Sequence, residues 1–243
     1  MTYARGWGLR GALLAAAAGT LTLGAGAAQA QNGSPAGAEL RRQLTALAEN
    51  PNSVAALIDA GRAALDIGDG SAALGFFTRA SELSPRDARV KAGLAAAHVQ
   101  TGNPQTALLL YGEAVSLGMS EAAVAGDRGL AYDLLGQTAR AQQDYVLSLR
   151  HRESPETRRR LAVSLAISGQ REAALRVIEG QIRGQDRAGL RTRALVLALS
   201  GDRVGASDAA RAAMPAATAS AIVPFLQRMS SLSPVQMASA AQD

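Results

Sequence analysis

The sequence predicts an all-α, right-handed superhelical solenoid of about five helix-turn-helix repeats, closed at each end by capping helices. Three observations predict it. Glycines recur at Gly68, Gly102, Gly136, Gly169 and Gly201, with spacings of 34, 34, 33 and 32 residues. Hydrophobic residues make up 48% of the chain but aromatics only 3%, so the apolar content is mostly Ala, Leu and Val. Such small, helix-forming side chains let helices approach closely. No run alternates β-branched and polar residues in the way a half-buried strand requires.

Taken in order, the first element is not part of the fold. Arg5 and Arg10 precede an uncharged stretch, Gly11 to Ala28, and then Ala28-Gln29-Ala30. That is the layout of a secretory signal peptide cut between Ala30 and Gln31. A retained membrane anchor is the competing reading. The A-x-A site and the weakly apolar, Gly- and Ala-rich run favour cleavage. Residues 31–37 read as a flexible N-terminus. Residues 38–50 read as a lone capping helix with Leu40, Leu44 and Ala48 on one side. Residues 51–216 form the solenoid, and 217–243 a C-terminal capping helix and tail.

Each repeat glycine sits where a helix should end in the left-handed conformation, which glycine adopts at little steric cost. A polar residue follows each one. Asp69, Asn103 and Asp202 are candidate caps of the next helix, and Pro104 suits a first helical position. Ser84-Pro85-Arg86-Asp87 and Ser154-Pro155-Glu156 also read as helix starts, with serine at the cap. Ser233-Pro234 can open a last short helix. Ala216 to Met229 should pack Ile222, Phe225 and Leu226 inward.

The packing positions share the period. Gly61, Ala73 and Phe77 in the first repeat correspond to Ala95, Ala107 and Tyr111 in the second. Gly129, Ala141 and Tyr145 occupy the same places in the third, and Ala162 and Ala174 in the fourth. Small residues let the paired helices close up, and the large one fills the gap to the next repeat. A single repeat cannot bury its apolar face alone, so the stack is the core. These residues resemble the tetratricopeptide-repeat (TPR) family over roughly 51–215.

Within that family the chain is similar to the bacterial TPR proteins of tight-adherence (Tad) pilus assembly. The similarity rests on Arg158-Arg159-Arg160-Leu161-Ala162-Val163-Ser164-Leu165-Ala166 and Gly169-Gln170-Arg171-Glu172-Ala173-Ala174. Leu195 through Asp202 and Phe225-Leu226-Gln227-Arg228-Met229 also carry it. The resemblance implies a part in assembling an envelope-spanning pilus or secretion machine. Members are often lipoproteins. This chain has no cysteine, so it departs from them in its means of anchoring.

Composition argues against several other functions. Without cysteine there is no disulfide, thiol catalysis or Cys-ligated metal. His98 and His151 are the only histidines. His98 falls at a packing position, and His151 near a helix C-terminus that favours a cation. They lack metal-ligand spacing, and no nucleophile motif or phosphate-binding glycine loop is present. The reading is therefore a non-enzyme with no cofactor. Arg152, Arg158, Arg159 and Arg160 form a basic cluster, but Glu153 and Glu156 neighbour it and no stacking aromatics lie nearby. Loss of residues 1–30 leaves 23 basic against 20 acidic side chains, too balanced to imply nucleic acid. No second apolar stretch long enough to span a bilayer follows the signal segment.

The family resemblance implies that positions 2, 5, 9 and 12 of each first helix face a concave groove. Here they include Ile58, Arg62, Arg89, Leu130, Arg159 and Arg191. Such a face suits a helix or extended peptide with apolar anchors and some acids or a free carboxylate. The expected partner is thus a protein or peptide, an envelope assembly component met in the periplasm. A scaffold for polysaccharide export or cell-wall synthesis is the alternative. The sequence leaves the oligomeric state open.

Overall fold

A computed structural model describes residues 34–241. The expected cleavage pair Ala30 and Gln31, and the whole of the expected signal segment, lie outside the described residues. Within them are fourteen α-helices, one 3-10 turn and no strand. Helix α1 spans Pro35–Glu49. Five helical repeats follow. The first pairs α2 (Val54–Asp66) with α3 (Gly70–Leu83), and the second α4 (Ala88–Gln100) with α5 (Pro104–Ser116). The third pairs α6 (Glu121–Leu134) with α7 (Thr138–His151). In the fourth, α8 (Pro155–Ile167) meets a second helix broken at Ile178 into α9 (Arg171–Val177) and α10 (Glu179–Arg183). The fifth pairs α11 (Arg187–Leu199) with α12 (Arg203–Ala213). Beyond it lie α13 (Ala216–Leu226), the 3-10 turn Met229–Ser231 and α14 (Pro234–Ala240).

Local chemistry sets these boundaries. Gly68, Gly102, Gly136, Gly169 and Gly201 all take φ between 71° and 81°. Each therefore ends its helix in the left-handed region open to glycine. Asp69 and Asp202 then accept hydrogen bonds from the backbone N–H of Ala72 and Gly205, both at 2.8 Å. Three expected starts differ. Asn103 does not cap α5; its amide donates to the Thr101 carbonyl at 3.1 Å instead. Asp87, not Ser84, caps α4, because its carboxylate accepts from the Arg89 N–H at 2.8 Å. The first helix begins at Pro35 rather than Ala38. Ser34 accepts from Gly37 N–H at 3.0 Å and Pro35 supplies the first helical residue, so residues 35–37 are helical.

From α1 to α13 each helix packs on the next, and the first helix of each repeat also touches the first helix of the following repeat. The result is a helical solenoid. Phe77, Tyr111 and Tyr145 are at most 1% exposed, and each is the large residue between neighbouring repeats. Phe77 fits because Gly61 and Gly93 have no side chains. A Cβ on Gly93 would lie 2.1 Å from Phe77 Cε1, and one on Gly61 2.7 Å from Cε2. Tyr145 rests on Gly129 in the same way, at 2.7 Å. Ala73, Ala95, Ala107, Ala141, Ala162 and Ala174 are fully buried. Phe225, expected inside, is 38% exposed; Leu226 and Met229 fill the C-terminal core instead.

Candidate functional site

The inner face of the solenoid is built from α2, α4, α6, α8 and α11. Side chains from four successive repeats frame a central cleft of about 700 Å³. Arg62 and Leu65 come from α2, Ala96 and Val99 from α4, Ala123, Gly126 and Leu130 from α6, and Glu156 from α8. All eight occupy the positions at which the repeat register places a concave face. Tyr111 lies at the floor, with its hydroxyl buried and without a hydrogen-bond partner in the protein. Asp66, Asp127, Arg152 and Arg160 give the cleft mixed charge. Burial, and then the nearby Glu156 and Asp127, raise the Asp66 carboxyl above its ordinary value.

Arg160 ties the third repeat to the fourth. Its Nη1 donates to Asp127 Oδ1 at 2.7 Å and to the Gly126 carbonyl at 3.3 Å, and its Nη2 pairs with Glu156. It spans one full repeat because residues 33 or 34 apart lie at equivalent places on adjacent first helices. Its charge is thus engaged within the fold.

A second, smaller cleft of about 210 Å³ lies further along the same face. Leu130, Asp133, Arg159, Val163 and Leu195 line it, all at groove positions. Asp133 is only 5% exposed. It accepts hydrogen bonds from Ser164 Oγ at 2.8 Å and Tyr145 Oη at 3.1 Å. Burial pushes its carboxyl up to about 7, although both hydrogen bonds act in the opposite direction. The repeat register places Asp133 in the groove but gives no sign of this network. The one signal in the sequence is Ser164, a lone hydroxyl in the apolar run from Leu161 to Ile167.

The six groove candidates separate. Arg62 is exposed at the rim of the central cleft, 3.5 Å from Asp59. Leu130 lines both clefts and forms the step between them. Arg159 lies in the second cleft, where Asp186 is 3.5 Å away and Gln181 3.4 Å. Arg191 borders a different depression, with Arg187, Met214 and Pro215. Arg89 lines neither cleft, because Asp87 holds it from two directions at 3.1 and 2.7 Å. Ile58 offers no groove surface. It is 1% exposed, turned into the N-terminal core around Phe77.

Among the described residues no three His, Asp or Glu side chains are grouped so as to hold a metal ion. Nor is any described helix long and apolar enough to cross a membrane.

No protein-family model matches the chain, and no curated protein matches it. Solved structures do. One is a TPR protein of Thermus thermophilus, TM-score 0.55 and 25% identity, over 65% of this chain and 87% of that one. Another is a tetratricopeptide repeat protein from Parabacteroides merdae, TM-score 0.58 and 19% identity, over 79% and 78% of the two chains. A third is a chain of the APC/C hetero-tetramer Cut9–Hcn1, TM-score 0.64 and 14% identity, over 85% of this chain and 42% of that one. The chain therefore has the TPR solenoid fold, which suggests a protein–protein interaction scaffold.

Proposed function

We propose that this TPR solenoid is a non-catalytic scaffold that holds a protein or peptide partner in its concave groove. We place it in the bacterial cell envelope, in the assembly of a Tad pilus or a related secretion machine. One observation carries the groove reading. The central cleft is open and is framed by side chains of four successive repeats, so a ligand adds contacts repeat by repeat. Its apolar floor of Leu65, Ala96, Val99 and Leu130 suits small apolar anchors. Arg62 and Arg152 suit acids on the same peptide. The signal-peptide layout of residues 1–30 and the Tad-like segments support the envelope placement.

A photocrosslinking residue at Ala96, inside the cleft, tests the reading against one at Leu109. Leu109 is 72% exposed on the outer helix α5. In cells, capture of a pilus or secretion component from position 96 alone is the expected result. Capture only from position 109 would overturn the groove. Capture of a polysaccharide-export or wall-synthesis component would move the scaffold to that pathway. N-terminal sequencing should find Gln31 first; residues 1–30 retained on a cytoplasmic pool would overturn the localisation.

A further inference from the structure

Part of the concave groove already has an occupant, and it belongs to this chain. After the 3-10 turn at Met229, α14 folds back across the inner face and lies against α6 and α8, the first helices of the third and fourth repeats. Ala238 is 2% exposed, and with Ala241 it borders the second cleft opposite Leu130, Asp133 and Val163. Val235 packs so near Gly136 that an added Cβ there would lie 3.1 Å from its Cγ2. Met237 and Ala240 rest on the C-terminal core.

A seven-residue helix is too short to be stable alone in water. Ser233 and Gln236 form a reciprocal capping box and Pro234 takes the first helical place. These features help to start a helix but do not hold one. The groove holds it. At Ala238 the seat accepts little beyond alanine, since that side chain is already enclosed. It also makes no use of charge, since Pro234 through Ala240 contains none. The surrounding arginines are engaged within the solenoid, Arg160 by Asp127 and Glu156 and Arg159 by Asp186. Contacts this small hold α14 chiefly because its tether keeps it close, at an effective concentration on the order of millimolar.

We propose that α14 is a resident ligand of the groove. The partner for this stretch is then a short, uncharged helix with alanine-sized residues three apart, which must displace α14 to bind. Displacement would join the second cleft to the open central one at Leu130, which lines both. The proposal rests on reading the groove as a peptide site.

Two measurements on the full chain test it. Hydrogen exchange should show protection at the amides of 236–240 in the wild type. Ala238→Arg should remove that protection and leave the solenoid amides unchanged. A fluorescein-labelled peptide of residues 232–241 should then bind the Ala238→Arg chain at least tenfold more tightly than the wild type. Unprotected amides in the wild-type α14 would overturn the proposal, as would no peptide binding to a folded Ala238→Arg chain. Should that variant unfold, excess peptide added to the wild type decides instead: faster exchange in α14 supports displacement, and unchanged exchange overturns it. The outcome separates from that of the groove reading. Peptide binding with no capture from position 96 keeps α14 as a ligand and removes the proposed partner; capture without an ordered α14 does the reverse.

Discussion

Ser164 donates a 2.8 Å hydrogen bond to Asp133, which lies 31 residues earlier on the neighbouring first helix. The bond crosses a repeat boundary at a place 5% exposed to solvent. Tyr145 donates to the other carboxylate oxygen at 3.1 Å. Two neutral donors satisfy the carboxylate without neutralising it, so burial dominates and its pKa rises to about 7.

The first prediction follows from that value. An acid with a folded-state pKa above its unfolded one binds its proton more tightly when folded. The stability it contributes is complete below about pH 4 and is lost as pH rises through about 7. Urea melts should show the wild type roughly 3 kcal/mol less stable at pH 8 than at pH 5 from this group. Asp133→Asn keeps the side-chain shape and should remove that slope. The same slope in both proteins would assign it to another group.

The contact between Phe77 and Gly93 gives a second. Phe77→Ala should cost ~3–5 kcal/mol through the cavity it leaves. Gly93→Ala should cost ~1–3 kcal/mol by driving a methyl into the ring. With the smaller Phe77→Leu, Gly93→Ala should cost measurably less than on its own, by at least about 0.5 kcal/mol. Strict additivity in chemical denaturation would mean that the ring does not rest there.

A third concerns Arg128 and Asp144, which join the two helices of the third repeat. Nε donates to Oδ2 at 2.7 Å and Nη2 to Oδ1 at 2.9 Å. The side chains are 16% and 10% exposed. Arg128→Met strands a buried carboxylate and should cost ~3–5 kcal/mol. Adding Asp144→Leu should restore most of that loss. A double variant no more stable than Arg128→Met alone would count against the pair as the cause.

The fourth separates two arginines that the repeat register treats alike. Arg62→Glu, at the cleft rim, should lower crosslinking yield from position 96 by up to about fivefold, the scale of one exposed pair. Arg89→Glu should leave the yield unchanged, because Arg89 lies outside both clefts and is held by Asp87. Equal losses from both would return Arg89 to the groove.

What the sequence determined is the part of this protein that depends on near neighbours. The glycine turns, the caps at Asp69 and Ser154, and the interlocking of Phe77, Tyr111 and Tyr145 with small residues were all legible. Each is settled within one repeat or between adjacent ones, and the period of 32 to 34 residues records it. Even there, Asp87 rather than Ser84 is the cap, because Ser84 still closes the preceding helix, its N–H bonded to the Ala80 carbonyl, and the next helix begins only at Ala88.

The tertiary structure alone decided which inner-face side chains share a cavity. The small rotation between repeats accumulates along the stack. Stacking leaves Arg62 and Arg159 in successive clefts and Arg191 in a third depression, while Asp87 holds Arg89 outside them and Ile58 turns into the core. It also buried Asp133 beneath two hydroxyls contributed by different helices. Where α14 goes was beyond the sequence for a related reason. Ser233-Pro234 announces that a helix starts, but seven residues carry no periodic signal of the surface they cover. Their seat between α6 and α8 exists only once the third and fourth repeats have stacked.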